Sequence, residues 1–476
     1  MPADPPGKKP VKSTLTLPTA QELKAFYKTQ KANGINPLKA LAHDVVELSK
    51  ADRTPSTGAV AAQPFKLVPL ARWNGITPTG QRPLQGATAN TMALSVRSVG
   101  RVTQGNQVQL YVDGRTAFPA LEKLIDGAKK TLYIETMIWH NDETGKRLAQ
   151  KVVDAHKRGV AVKVIVDSVG LNFGTGRNND LALMEWMRAQ GVDAYAFNPN
   201  FVSKDGVAIT HHKLYIADNE QFLSGGINIG KEYEHEWHDM LFGVKGPAAH
   251  TVAEEFAINW GRTTGHYLTI PPLAAAKKSA KSVPANAAVG FAVTDPIGRR
   301  YELKRATLQL INEAKHHVQI QMPYCSDDDL MRALQGAAKR GVTVDFIMPG
   351  TNDTGSYRTM NRAEAHKLLK AGANVRFFAG GTVDGREISR FSHTKMLIID
   401  ETVAVVGSGN ADYRTFHNNN ELNAYIADPK FVATLRAELF EKDWKESRAA
   451  TRKELEQRPL KEKLMGHLYE TLDRFF

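Results

Sequence analysis

The chain has 476 residues, 42% of them hydrophobic and 24% charged, an ordinary balance for a soluble globular protein with room for two or three full cores. The single cysteine, Cys325, excludes an intramolecular disulfide framework, and the absence of a signal-peptide core or a long apolar run points to a cytoplasmic or peripherally bound protein. The net charge of +12 is uneven: residues 1–100 hold 13 Lys and Arg against 5 Asp and Glu, and the remainder carries only +4.

Residues 1–105 read as a basic, partly ordered arm. Thr19 and Glu22 fit a capping box that opens a helix through about Lys31, and a second helix follows Pro37 over Leu38–Leu48. An excess of this kind suits a solvated arm, or attraction to anionic lipid head groups or nucleic acid phosphates. From about Gln107 strand and helix signals alternate. Leu132–Ile138 reads as a buried strand, Gly145–Arg158 as an amphipathic helix and Val160–Val166 as the next strand, which implies parallel strands in βαβ units across a first domain, 106–266. A Pro-, Ala-, Lys- and Ser-rich linker is expected over 267–288. The pattern then restarts in a second domain, 289–476, with a strand at Val318–Met322, a helix at Asp328–Arg340 and a strand at Val342–Met348. It ends on a helical run through Leu460, Leu464, Leu468, Leu472 and Phe475.

The second domain copies the first. Lys157-Arg158-Gly159-Val160 recurs as Lys339-Arg340-Gly341-Val342, an offset of 182. The same offset relates two late motifs. The first contains His211, Lys213, Asp218, Gly225, Gly226 and Asn228; the second contains His393, Lys395, Asp400, Gly407, Ser408 and Asn410. Eleven positions after each asparagine stands a carboxylate, Asp239 or Glu421.

This spacing suits attack on a phosphodiester. On a strand His211 and Lys213 share one face, as do His393 and Lys395. An imidazole supplies a nucleophile near neutral pH and an ammonium offsets phosphate charge. Asn228 and Asn410, after tight glycine turns, can donate to phosphate oxygens. Asp239 and Glu421 are placed to accept from the far nitrogen of each histidine, fixing its tautomer. His235 and His238 lack a regular zinc spacing, so no metal site is read there.

The paired motifs resemble the HKD motifs of the phospholipase D superfamily, and more closely those of bacterial cardiolipin synthases. Gly225-Gly226-Ile227-Asn228 with Glu232-Tyr233, Gln321-Met322-Pro323-Tyr324 and Asn419-Asn420-Glu421-Leu422-Asn423 resemble further family segments. Trp237-His238-Asp239 resembles a Trp-Arg-Asp segment, with His238 in the arginine's place. The likeness covers about residues 107–450. It implies an α/β fold of two homologous phospholipase D-like domains, each a mixed, mostly parallel sheet flanked by helices, related by a pseudo-two-fold and sharing one active site. It implies a catalytic set of His211, Lys213, Asp218, His393, Lys395 and Asp400, with Asn228, Ser408 and Asn410 binding substrate and Asp239 and Glu421 orienting the histidines. His211 would be the nucleophile and His393 the acid and base, with no metal or other cofactor. The expected activity is phosphatidyl transfer between phosphatidylglycerol molecules at an anionic membrane surface. Phospholipase D hydrolysis to phosphatidic acid is the alternative, and a nuclease-like phosphodiesterase is less favoured. Many such synthases begin with membrane-spanning helices, and none is evident here. The oligomeric state is left open.

Overall fold

Short apolar, β-branched runs build the frame of the molecule. In the first half the principal strands are β1 (Thr103–Val112), β2 (Thr131–Thr136), β3 (Ala161–Asp167), β4 (Asp193–Phe197), β5 (Lys213–Ala217), β6 (Gln221–Gly225) and β7 (Met240–Lys245). In the second they are β8 (Ala287–Asp295), β9 (His317–Gln321), β10 (Thr343–Pro349), β11 (Asn374–Phe378), β12 (Met396–Ile399), β13 (Val403–Gly407) and β14 (Glu421–Ala427). The computed structural model describes residues 102–472, apart from 174–178, 198–201, 204–205, 272–286, 384–385 and 389, together with Thr88, Ala89, Met92 and Val96. The helices expected over 19–31 and 38–48, and most of the expected linker, lie outside the described residues.

All these strands belong to one 16-stranded sheet. The first half runs in the order β1-β7-β6-β5-β2-β3-β4 and the second repeats it as β8-β14-β13-β12-β9-β10-β11, with Ser447–Ala449 added beyond β11. The halves join edge to edge where β1 pairs antiparallel with β8, Thr103 opposite Val289 and Asn106 opposite Ala287. The sheet is mixed, but parallel strands do not dominate it. Only β2–β3, β3–β4, β9–β10 and β10–β11 among the principal strands are parallel, at the end of each half where crossover helices lie. The links from β5 to β6 and from β12 to β13 are three-residue turns, too short for a crossover, so the motif strands run antiparallel.

The crossover helices explain the sequence repeat. Helix α1 (Asp113–Gly127) precedes β2, and α2 (Glu143–Lys157) connects β2 to β3. Helix α3 (Ala248–Thr264) follows β7, α4 (Glu302–Glu313) precedes β9, and α5 (Asp328–Lys339) connects β9 to β10. Asp142 caps α2 by accepting from Gly145 N, and Asp327 caps α5 by accepting from Leu330 N. Each helix then ends on Arg-Gly-Val. The glycine, Gly159 or Gly341, takes a φ of +89°, which an L side chain resists. The arginine turns back to donate to the end of the preceding helix: Arg158 Nη2 to Ile125 O at 3.0 Å, and Arg340 Nη2 to Ile311 O at 2.9 Å.

One core lies between α1, α2 and the first half of the sheet; the larger one spans the seam, where the Phe222 ring of β6 meets Phe291 of β8 at 6.0 Å. Ala89, Met92 and Val96, spaced as one helical face, are buried in this larger core. Among the described residues no helix is long and apolar enough to cross a membrane. A side chain on Gly290 of β8 would meet Val96 Cγ2 at 2.6 Å and Val102 Cγ2 at 3.1 Å. Gly290→Ala should therefore lower stability by about 1–3 kcal/mol through overpacking at the seam, read as an earlier midpoint in urea denaturation.

Candidate active site

Both motif histidines sit just before a central strand of their own half, and both are held by the other half. His211 N–H donates to Asn420 O at 2.9 Å and Asn420 N–H donates to Ile209 O at 2.7 Å. In the second motif His393 N–H donates to His238 O at 2.8 Å, and His238 N–H donates to Phe391 O at 2.9 Å. This backbone exchange carries each carboxylate across. His211 Nδ1 lies 2.9 and 3.0 Å from the two oxygens of Glu421, and His393 Nδ1 lies 2.8 Å from Asp239 Oδ2. The linear spacing within each half conceals this crossing: each histidine is served by the carboxylate that follows the other motif.

The lysines complete the cluster. Lys213 Nζ donates to His211 O at 2.9 Å and Lys395 Nζ to His393 O at 2.7 Å, and both side chains are buried. Burial lowers Lys213 to about 7 against Glu421, with Lys395 adding to the fall, and lowers Lys395 to about 8 against Asp239 and Glu421. Burial also keeps His211 neutral, its pKa down at about 4 despite Glu421, with Lys213 and Lys395 acting in the same direction. Burial alone would raise the Glu421 carboxyl. The His211 contact, Lys213 and the Ser408 hydroxyl reverse that and hold it below the usual carboxylate range. Asp239 differs: burial lifts it to about 7 against Lys395 and the Met240 N–H. Its partner His393 is held well below its ordinary value by burial and then by Lys395 and Lys213. The His393–Asp239 pair thus keeps a proton to higher pH than the His211–Glu421 pair.

The remaining expected residues divide. Asn228 Oδ1 accepts from Thr136 Oγ1 and Ile138 N, both at 3.2 Å, which orients its amide, and Asn410 Oδ1 is buried without a hydrogen-bond partner. Ser408, expected to bind substrate, lies behind the histidine instead. Its hydroxyl donates to Glu421 Oε2 at 2.6 Å and accepts from Leu422 N at 3.1 Å. Asp218 and Asp400, expected in the catalytic set, are at the far ends of the motif strands. The Asp218 carboxylate accepts from the N–H groups of Lys129, Lys130 and Thr131, and that of Asp400 from Lys315, His316 and His317. They clamp the loops that enter β2 and β9. Asp218→Ala should cost about 1–3 kcal/mol by orphaning those donors, seen in urea denaturation, while turnover per folded molecule stays within a few-fold.

A second buried cluster braces His393, and its distant members carried no sequence signal. His238 Nδ1 lies 2.8 Å from Asp113 Oδ1 and its Nε2 2.7 Å from Asp443 Oδ2. Burial lowers its pKa, but Asp443 and Asp113 outweigh burial and raise it to about 10, so the residue that departs from the family's arginine still holds a cation there. Arg390 donates to Asp113 Oδ2 at 2.9 Å and to Trp237 O at 2.7 Å, and Gln321 Nε2 donates to Asp443 Oδ2 at 2.7 Å. Arg390, three positions before His393, could have been noticed by its place in the motif. Asp113 and Asp443 could not. Cys325 is buried, with its N–H donating to Asn361 Oδ1, and its thiol is pushed up by burial, in keeping with a packing role.

Two copies of one fold, with two histidine–lysine motifs exchanging carboxylates, define a phospholipase D-like architecture. The family described as cardiolipin synthase, PLD-like domain, matches residues 121–260 and 307–444, and the chain belongs to it. It is 29% identical over 369 residues to the major cardiolipin synthase of Bacillus subtilis, covering 75% of this chain and 73% of that one. It is 28% identical over 370 residues to a cardiolipin synthase of Clostridium perfringens, covering 75% and 74%. Among solved structures, a phosphatidylserine synthase of Haemophilus influenzae superposes with a TM-score of 0.60 at 15% identity, over 77% of this chain and 93% of that one, a likeness of fold.

Proposed function

We propose that the protein transfers a phosphatidyl group from one phosphatidylglycerol to the hydroxyl of a second, releasing glycerol and forming cardiolipin, the product for which its relatives are named. One observation carries the reading: each histidine has Nδ1 on a buried carboxylate of the opposite half, so Nε2 is the nitrogen left for chemistry on both. His211, neutral and backed by ionised Glu421, attacks phosphorus through Nε2. The bond to the leaving glycerol oxygen breaks as His393 gives that oxygen a proton. The acceptor hydroxyl then returns a proton to His393 while its oxygen displaces His211 from phosphorus. Lys213 and Lys395 offset the charge on the non-bridging oxygens, and the amides of Asn228 and Asn410 donate to them.

Phosphatidylglycerol vesicles with the pure enzyme should yield cardiolipin and glycerol in a lipid analysis. Phosphatidic acid in their place would make water the acceptor. Mass spectrometry of acid-quenched enzyme should find the phosphorus adduct on His211, and His211→Ala should abolish it. Activity on a short-chain, water-soluble phosphodiester should follow the buried groups. kcat/KM should rise as His211 deprotonates through about pH 4. It should fall as the His393–Asp239 pair and Lys213 lose their protons through about pH 7.

The basic segment over residues 1–100 supports contact with an anionic bilayer surface, at up to about 1 kcal/mol for each basic residue that reaches it. Removing this segment should weaken sedimentation with acidic vesicles and make what remains less sensitive to salt. Unchanged sedimentation with lost activity on the short-chain substrate would give the segment a structural role instead.

A further inference from the structure

The duplication allows the walls around the two histidines to be compared position by position. Trp237, Phe391, Tyr324 and Tyr233 surround His393, with ring centroids 5.2, 5.8, 5.9 and 6.1 Å from the imidazole. The 182-residue offset gives Asn419, Ile209 and Thr415 as counterparts of Trp237, Phe391 and Tyr233 around His211. Strand pairing sets Leu132 opposite Ala217 and Val318 opposite Ile399, which makes Ile138 the counterpart of Tyr324. None of the four is aromatic. The fold is copied, but the wall on the His393 side is built differently.

That wall also carries a carboxylate. Tyr324 Oη donates to Asp353 Oδ2 at 2.8 Å, and Asp353 stands exposed in the loop between β10 and the next helix, α6 (Gly355–Ala371). It is close enough to Lys395 and Tyr233 to bias the protonation of both. A carboxylate there repels a phosphodiester, so its position calls for some other partner. The pair is also well braced. Asn361 Nδ2 and Asn352 Nδ2 donate to Pro323 O at 2.8 and 3.3 Å, and Asn361 Oδ1 accepts from Cys325 N at 3.1 Å. Tyr357 packs on Tyr324 at 4.4 Å, and Tyr324 O accepts from Ala411 N, next to Asn410, at 3.0 Å.

We infer that Asp353 and Tyr324 form a subsite that recognises a second hydroxyl of the alcohol on the His393 side, and so select acceptors of the glycerol class over simple alcohols. This rests on the phosphatidyl-transfer reading and adds to it the residues that choose the acceptor. A carboxylate accepts hydrogen bonds from hydroxyls without itself donating, the phenol adds a neighbouring acceptor, and the flanking rings cover the carbon faces of a small polyol. Tyr324 and Lys395 offset the charge of Asp353, which leaves it an acceptor more than a counter-ion for a choline-like cation. A site built to bind a hydroxyl discriminates strongly against the analogue that lacks it.

The test uses the full chain, a short-chain phosphatidylglycerol donor, and deuterium-labelled glycerol, ethanol and choline in competition, with products quantified by mass spectrometry. All acceptors draw on one covalent intermediate, so product ratios do not depend on how much of a variant is active. Asp353→Asn and Tyr324→Phe should each lower the glycerol-to-ethanol product ratio by about tenfold, the scale of one hydrogen bond to a charged group. An unchanged ratio in both variants overturns the inference. So does a fall in choline transfer with the glycerol-to-ethanol ratio intact, which would make the subsite a cation site. Failure of the unmodified protein to transfer phosphatidyl to any of the three would strike the transfer reading itself.

Discussion

The site depends on a backbone exchange between two halves of one sheet. The segment that leads through His211 into β5 is pinned to Asn420, and the segment that leads through His393 into β12 is pinned to His238. Because Glu421 and Asp239 are the next residues, the exchange delivers a buried carboxylate to each imidazole from across the seam. A histidine, a lysine and a carboxylate buried together are costly unless every charge meets a partner. Neither half can meet that condition alone, since its histidine would lose its carboxylate. The edge-to-edge joint of β1 with β8, and the phenylalanines packed beneath it, therefore do more than add area. They hold the two half-sites in register.

Much of this was legible in the sequence because local chemistry was repeated. The Lys-Arg-Gly-Val repeat marks a left-handed glycine and an arginine that ties two helices together, and both copies do so. The His-x-Lys spacing marks one face of a strand, and both lysines do return to their own histidine's carbonyl. Other features were hidden for physical reasons. Seven positions after the histidine, Asp218 and Asp400 fall on the opposite face and up to roughly 23 Å along an extended chain, which suits a loop clamp better than a reacting group. Their fixed place in the motif obscured that. The crossed carboxylates, and the Asp113–His238–Asp443 brace, join residues far apart in the chain that no local period connects. Much of the antiparallel pairing joins strands far apart in the chain, apart from the two motif hairpins closed by three-residue turns, so the βαβ signals gave no sign of it.

Duplication also explains how one framework can hold two histidines in different states. Glu421 receives hydrogen bonds from Ser408, Asn419 and Thr415 as well as its histidine contact. The offset makes Gly226, Trp237 and Tyr233 the counterparts of those three donors, and none repeats the bond to Asp239. At Gly226 there is no room for one, since a Cβ there would stand 2.3 Å from Asp239 Oδ1. A carboxylate with several donors stays ionised and accepts the Nδ1 proton, so an imidazole that burial keeps neutral has its free nitrogen deprotonated; a buried carboxylate with few donors retains a proton. Two of these differences, Trp237 for Asn419 and Tyr233 for Thr415, also set rings against His393. The division of roles proposed for the two histidines and part of the aromatic wall thus rest on the same two positions of an otherwise repeated frame. A nucleophile and an acid need opposite protonation states at one pH, and the unequal surroundings of the two histidines favour one assignment of those states over the other.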